Sequence, residues 1–323
     1  MSIQADLIAD RRSMRRRLSL WRMLGVVGAL IGVVGLAYTF GGRQFLGGGS
    51  EHVARVRIQG FISGDDRTLR LIRDVRQSKS VKAVIVQIDS PGGTVSGSEA
   101  IYLALRQLAA EKPTAAVVTG LAASGGYIAA AASDRIVAQQ TSLVGSIGVL
   151  FQIPNVSKLL DTVGVNVESI RSSPLKAAPS GFEPTSPEAR AALDQVVKDH
   201  YDWFKGLVRE RRKLTDTELA IVADGRVHTG RQGIERKLVD VLGGERQAVE
   251  WLEAERNVTR SLPIREWRRR SDSDVLGLWS AASRIAAAAG FDAFASVLTR
   301  AGSIEPGVRL DGALALWQPA LEK

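Results

Sequence analysis

Residues Val81 to Ile88 (VKAVIVQI) form a nearly continuous apolar run of strand length. A strand with one face in water alternates apolar and polar residues. A run without that alternation is typical of a parallel strand covered on both faces. Thr114 to Thr119 repeats the pattern with β-branched residues. Between the two runs, Ser96 or Ser98 can cap a helix that extends to about Glu111, where Pro113 stops it. His52 to Ile58 has strand character and Arg67 to Arg76 has helical spacing. Strand and helix alternating in this rhythm predict an α/β domain with right-handed crossovers.

The pattern continues past the second run. Ile128 to Ser133, small residues throughout, predicts a tightly packed helix, and Arg135 to Ala138 a short strand. Ser157 to Val163 reads as a short helix and Val165 to Ile170 as a strand. Ser172 to Pro187 is a loop set by Pro174, Pro179, Pro184 and Pro187. A long helix runs from Glu188 to about Lys213, with Pro187 suited to its first turn. Short helices are expected at Asp216 to Ala223 and Arg231 to Lys237. A strand and turn follow over Leu238 to Gly244, then a helix over Glu245 to Arg256 and a last strand within Leu262 to Trp267.

The ends differ in composition. Met23 to Phe40 is 18 residues without a charge, enough to span a bilayer's hydrocarbon core. Residues 1 to 22 hold six arginines against two aspartates. By the positive-inside rule that stub stays in the cytoplasm and the rest faces outward. A secretory signal is the rival reading, because Gly35-Leu36-Ala37 offers a cleavage pattern; the long apolar run favours an uncleaved anchor. The expected division is a basic stub (1–22), a transmembrane anchor (23–40), a glycine-rich linker (41–50), a folded domain (51–267) and an alanine-rich tail (268–323). Trp267 to Arg270 precede the apolar part of that tail. It is expected to form amphipathic helices that touch the membrane or cover the domain.

The net charge of +9 could suggest nucleic acid, but much of the excess sits beside the apolar run, which explains it differently. With no cysteine, disulfides, thiolate metal sites and a cysteine nucleophile are excluded. Only three histidines are present, which argues against a histidine-rich metal site. No phosphate-binding glycine motif appears either.

Two stretches could carry chemistry. Thr119 to Tyr127 (TGLAASGGY) places Ser124 where strand gives way to helix, among residues too small to cover it. Its hydroxyl could serve as a nucleophile, with N–H groups at the helix start receiving an oxyanion, or simply as a helix cap. Ser90-Pro91-Gly92-Gly93 leaves a buried strand at the edge where α/β sheets bind ligands. Gly93 and Gly125 could together donate to an oxyanion. A serine nucleophile needs a base. His52, His200 and His228 are poor candidates by position. Lys176, between Leu175 and Ala177 in the proline-bounded loop, is the better one, since burial would favour its neutral form.

These pieces match a known pattern. Asp89-Ser90-Pro91-Gly92-Gly93, Ala122 to Tyr127, Val144-Gly145-Ser146-Ile147-Gly148-Val149, the Leu175-Lys176 loop, and Asp224-Gly225-Arg226 through Leu238-Val239-Asp240 occur in the order found in the signal peptide peptidase A (SppA) family. The chain resembles the short form of that family, serine peptidases of the crotonase/Clp-protease superfold, over roughly residues 53 to 245. The resemblance implies a repeated β-β-α spiral behind one membrane anchor and a Ser–Lys dyad. Ser124 is then the nucleophile, Lys176 the general base, Gly93 and Gly125 the oxyanion hole, and Ser146 a support for the lysine. It implies no cofactor and no catalytic histidine. It also implies a homo-oligomer in which Lys176 can serve a neighbouring subunit, apolar peptides such as signal-peptide remnants as substrates, and a place in the inner membrane. An acyl-CoA enzyme of the crotonase type and a non-catalytic membrane scaffold are the alternatives.

Overall fold

In the computed structural model, the two apolar runs form adjacent parallel strands at the centre of one mixed sheet. The described residues are 50–268, the strand Leu314–Leu316, and positions 21–23, 25 and 28 of the N-terminal stretch. Glu51–Arg269 and Arg309–Lys323 belong to one compact unit. Most of the expected anchor, the linker before Ser50 and most of the tail lie outside the described residues. Among the described residues, no helix is long and apolar enough to cross a membrane.

The element order is β1 (His52–Ile62), α1 (Asp66–Gln77), β2 (Val81–Thr94), α2 (Val95–Glu111), β3 (Thr114–Ala123), α3 (Gly125–Ala131), β4 (Arg135–Ala138), β5 (Leu143–Gly145), α4 (Ser157–Thr162), α5 (Pro187–Arg212), α6 (Asp216–Val222), β6 (Val227–Thr229), α7 (Gly230–Glu235), β7 (Val241–Leu242), α8 (Glu245–Glu255), β8 (Ile264–Trp267) and β9 (Leu314–Leu316). The sheet has nine strands, with the path β6-β5-β3-β2-β1-β8. β4 pairs with β3 and β7, and β9 pairs with β2.

Both faces of the central strands are buried, which explains the missing alternation. Val84, Val86 and Ile88 face one core, with Ala116 and Val118 beside them. Ala83, Ile85, Ala115 and Val117 face the other. The first core is closed by Ile101 and Leu105 of α2, all of α3, and Phe204 and Leu207 of α5. The second is closed by Ala248, Trp251 and Leu252 of α8. Each of the larger side chains stabilises the fold by about 1.5–3 kcal/mol through removal from water.

Three local expectations change. The break expected at Ser90 is instead a register shift inside β2, which continues to Thr94. There the Ser90 hydroxyl donates to the Gly60 carbonyl at 2.6 Å and accepts from the Gly92 N–H at 3.1 Å, and Gly92 takes a φ of +106°. Thr94, not Ser96 or Ser98, caps α2, accepting from the Gly97 N–H at 3.0 Å. Val165 to Ile170 forms no strand. Its alternation mimics one, but no sheet edge lies alongside to pair with it, and Ile170 is 97% exposed.

Candidate active site

The site grows from the end of β3. β4 pairs with residues Ala115 to Val118 of that strand, and β5 takes over along Leu121 to Ala123. At Ser124 the chain leaves the sheet with φ 52° and ψ −117°. Such a conformation costs a non-glycine residue on the order of 1–3 kcal/mol and persists only where neighbours enforce it. The Ser124 N–H donates to the Gly145 carbonyl at 2.8 Å. The Ser124 carbonyl accepts from the N–H groups of Tyr127 and Ile128 at 2.9 and 3.0 Å. Backbone bonds therefore hold Ser124 on both sides. Its side chain caps nothing. Ser124 is 1% exposed, and its Oγ has no hydrogen-bond partner among the described residues. The capping role left open by the sequence is thus not taken.

The first turn of α3 presses on the β2 turn. A Cβ at Gly126 would lie 2.6 Å from the Ser90 carbonyl oxygen, so only glycine lets the two backbones approach this closely. Gly93 is similarly constrained from the other side, where a Cβ would meet the Ile62 carbonyl oxygen at 1.8 Å. Ser124, Gly125 and Gly93 therefore gather where β2 and β3 part. Ser146 (φ 50°) follows the carbonyl that holds Ser124, and its own N–H donates to Arg226 at 2.9 Å.

Support for α3 comes from its far end. Arg106 donates to the Ala132 carbonyl at 2.8 Å, and Arg211 to the carbonyls of Ala131 and Ser133 at 2.8 and 3.0 Å. Cationic side chains satisfy the orphan carbonyls and complement the helix dipole there. Tyr127 is fully buried and donates to the Leu238 carbonyl at 2.9 Å. Burial pushes its phenol well above the ordinary range, so it acts as a donor only. The sequence reading gave Gly145, Ser90, Arg106 and Arg211 no part in the site. The first two stood inside quoted motifs; the arginines are helix residues with no local signal.

Lys176 is not brought to this cluster. It lies exposed in the proline-bounded loop, where its N–H donates to the Ser173 carbonyl. The burial expected for it is absent, because residues 158 to 186 carry almost no buried side chains and nothing in this chain covers them. Leu159, Val163, Ile170, Leu175 and Phe182 are among the exposed large apolar residues there.

The histidines sit elsewhere. His52 accepts from the Trp267 indole N–H at 3.0 Å. His200 is half-buried on α5. His228 lies on β6 behind Gly145, whose Cβ, if present, would be 3.2 Å from the imidazole Cδ2. Burial, then the nearby Arg236 charge, holds its pKa below the usual imidazole value. Among the described residues no group of three or more histidine or carboxylate side chains forms a metal site.

The family described as Peptidase family S49 matches residues 106–259. A protein of Synechocystis named as a protease is 36% identical over 203 residues, covering 62% of this chain and 73% of that protein. The chloroplastic serine protease SPPA of Arabidopsis thaliana is 31% identical, covering 63% of this chain and 32% of its own length. Protease 4 of Salmonella typhi is 37% identical, covering 58% and 30% respectively. This chain thus spans most of the first relative and about a third of the other two.

Proposed function

Because the chain belongs to peptidase family S49, the SppA-type serine peptidases, we propose that it is a membrane-anchored endopeptidase in which Ser124 attacks the scissile carbonyl and Lys176 is the general base. The observation that carries the reading is the Ser124 side chain itself. It sits on a strained turn, buried and without a hydrogen-bond partner among the described residues, beside Gly93 and Gly125. A buried hydroxyl without a partner normally costs stability. A nucleophile awaiting substrate and base is a reason to keep one.

In the proposed reaction, neutral Lys176 takes the Ser124 proton as Oγ bonds to the carbonyl carbon. The N–H groups of Gly93 and Gly125 receive the oxyanion. The lysine returns the proton to the departing amine, leaving an acyl-enzyme. Water, deprotonated by the same lysine, then releases the acid and restores the serine. Ser146 orients Lys176.

The exposed position of Lys176 favours a homo-oligomer in which the loop of one copy reaches the Ser124 site of the next. The apolar residues around Lys176 supply a surface for such a partner, whose arrival would desolvate the lysine and favour its neutral form. Residues 23–40 provide a single-pass anchor with residues 1–22 in the cytoplasm, and the domain from residue 51 works outside the inner membrane. Substrates are apolar peptides, signal-peptide remnants among them, and neither a cofactor nor nucleic acid takes part. The tail from residue 268 touches lipid.

The test is cleavage of an apolar signal-peptide substrate by wild type, Ser124→Ala and Lys176→Ala proteins. Both variants should lose nearly all turnover while keeping fold and assembly. A mixture of the two dead proteins should regain activity, because some sites then combine an intact serine with a neighbour's intact lysine. Full activity in Lys176→Ala would refute the base assignment.

A further inference from the structure

Strand β2 has two edges. β1 takes one of them as far as Phe61↔Gly92 and Ile62↔Gly93. β3 takes the other, but its last pair is Ser90↔Ala122. There the chain turns away through Ser124 into α3, so on the serine's side the edge of β2 beyond Ser90 loses its neighbour. An unpaired strand edge is a template for any extended chain, and peptide-binding proteins use such edges to align a ligand's backbone. Here the edge is filled from within the same chain. Strand β9 pairs antiparallel with it, with Gly92↔Leu316, Gly93↔Ala315 and Thr94↔Leu314. Ala315 is thus opposite the glycine assigned to the oxyanion. The surrounding segment, Ala313 to Trp317, carries no charge.

We propose that residues 314–316 are an intramolecular occupant of the peptide-binding edge, held in the position of a substrate backbone and displaced when substrate binds. The inference rests on the peptidase reading and adds regulation to it. A tethered segment competes at an effective concentration on the order of millimolar. If the free segment bound with a dissociation constant of about 0.1 mM, the apparent KM for an external peptide would rise about tenfold, with kcat unchanged, because saturating substrate displaces the segment.

Three proteins test this: the full chain, the chain lacking residues 309–323, and the full chain with Ala315→Pro. The last cannot donate from residue 315, and its ring obstructs the ladder while the rest of the chain is kept. Hydrogen exchange at the amides of residues 92–94 should accelerate in both variants, and KM should fall about tenfold at constant kcat. A synthetic peptide spanning residues 311–319, added to the shortened protein, should restore protection and raise KM again. Unchanged exchange in both variants would overturn the occupancy. Faster exchange with unchanged KM would overturn the competition. Turnover absent from all three proteins, with exchange altered, would sink the peptidase reading and the competition with it, leaving only the strand pairing.

Discussion

Gly126→Ala separates packing from chemistry at the site. The new methyl would meet the Ser90 carbonyl oxygen at 2.6 Å and the Ser90 Cβ at 3.3 Å. Both belong to the rigid β2 turn, so α3 and β2 must part by roughly 0.8 Å to reach an ordinary contact near 3.4 Å. Overpacking of this kind costs about 1–3 kcal/mol. Alanine in place of glycine returns about 1 kcal/mol of helix propensity. A net loss of about 1–2 kcal/mol lowers Tm by roughly 2–8 °C for a domain of this size. Activity should suffer more. The displacement separates Gly93 from Ser124 and Gly125, and misplacement of about 1 Å can cost on the order of a hundredfold. Steady-state kinetics on an apolar peptide should show kcat reduced by about ten- to a hundredfold, with KM little changed. Gly206→Ala is the control. It adds a methyl with nothing within 4 Å and should raise stability by about 0.5–1 kcal/mol without touching kcat. Wild-type kcat and Tm in Gly126→Ala would refute the claim that this contact sets the site's geometry.

Two further expectations concern stability. Arg212 pairs with Asp240 at 2.6 Å with side chains only 11% and 26% exposed, and Asp240 also accepts the Ile136 N–H at 2.7 Å. Asp240→Ala leaves both donors without that acceptor and should cost about 3 kcal/mol in urea unfolding; Asp240→Asn, which keeps an acceptor for Ile136, should cost clearly less, and equal losses would refute the assignment. His228, its pKa lowered chiefly by burial, takes up protons more readily unfolded than folded. Its stabilising effect is therefore complete above the unfolded value near 6.5 and is lost as pH falls through the lower folded value. Arg236, Arg226 and Asp224 are the charged groups acting on it. His228→Phe should flatten the fall in urea midpoint between pH 7.5 and 5.5, and an unchanged slope would assign that fall to other groups.

The central strands were legible because burial on both faces leaves a mark in each residue's own chemistry. Val81 to Ile88 and Thr114 to Thr119 lie in β2 and β3, and Pro187 opens α5 as its position suggested. Ser124 was singled out by its small neighbours, and its conformation agrees with that prominence. What escaped was relational. Val165 to Ile170 has strand-like residues but no strand beside it. Lys176 was expected to be buried on the strength of adjacent alanines, yet burial depends on what covers a loop rather than on what lies next in sequence. Leu314 to Leu316 is too short to announce a strand, and its partner is more than two hundred residues away in the chain.

The division of β3 between two neighbours bears on how the molecule opens. β2 borders one edge of β3, while β4 and then β5 border the other. No end of this strand can fray without breaking pairs to its neighbours, so the approach to Ser124 belongs to the last cooperative unit to come apart. The loop bearing Lys176 has few buried contacts in one chain and belongs to the first. Mild denaturant should therefore separate two midpoints. Turnover should disappear with local opening of the loop, while the sheet, followed by circular dichroism, persists to higher concentration.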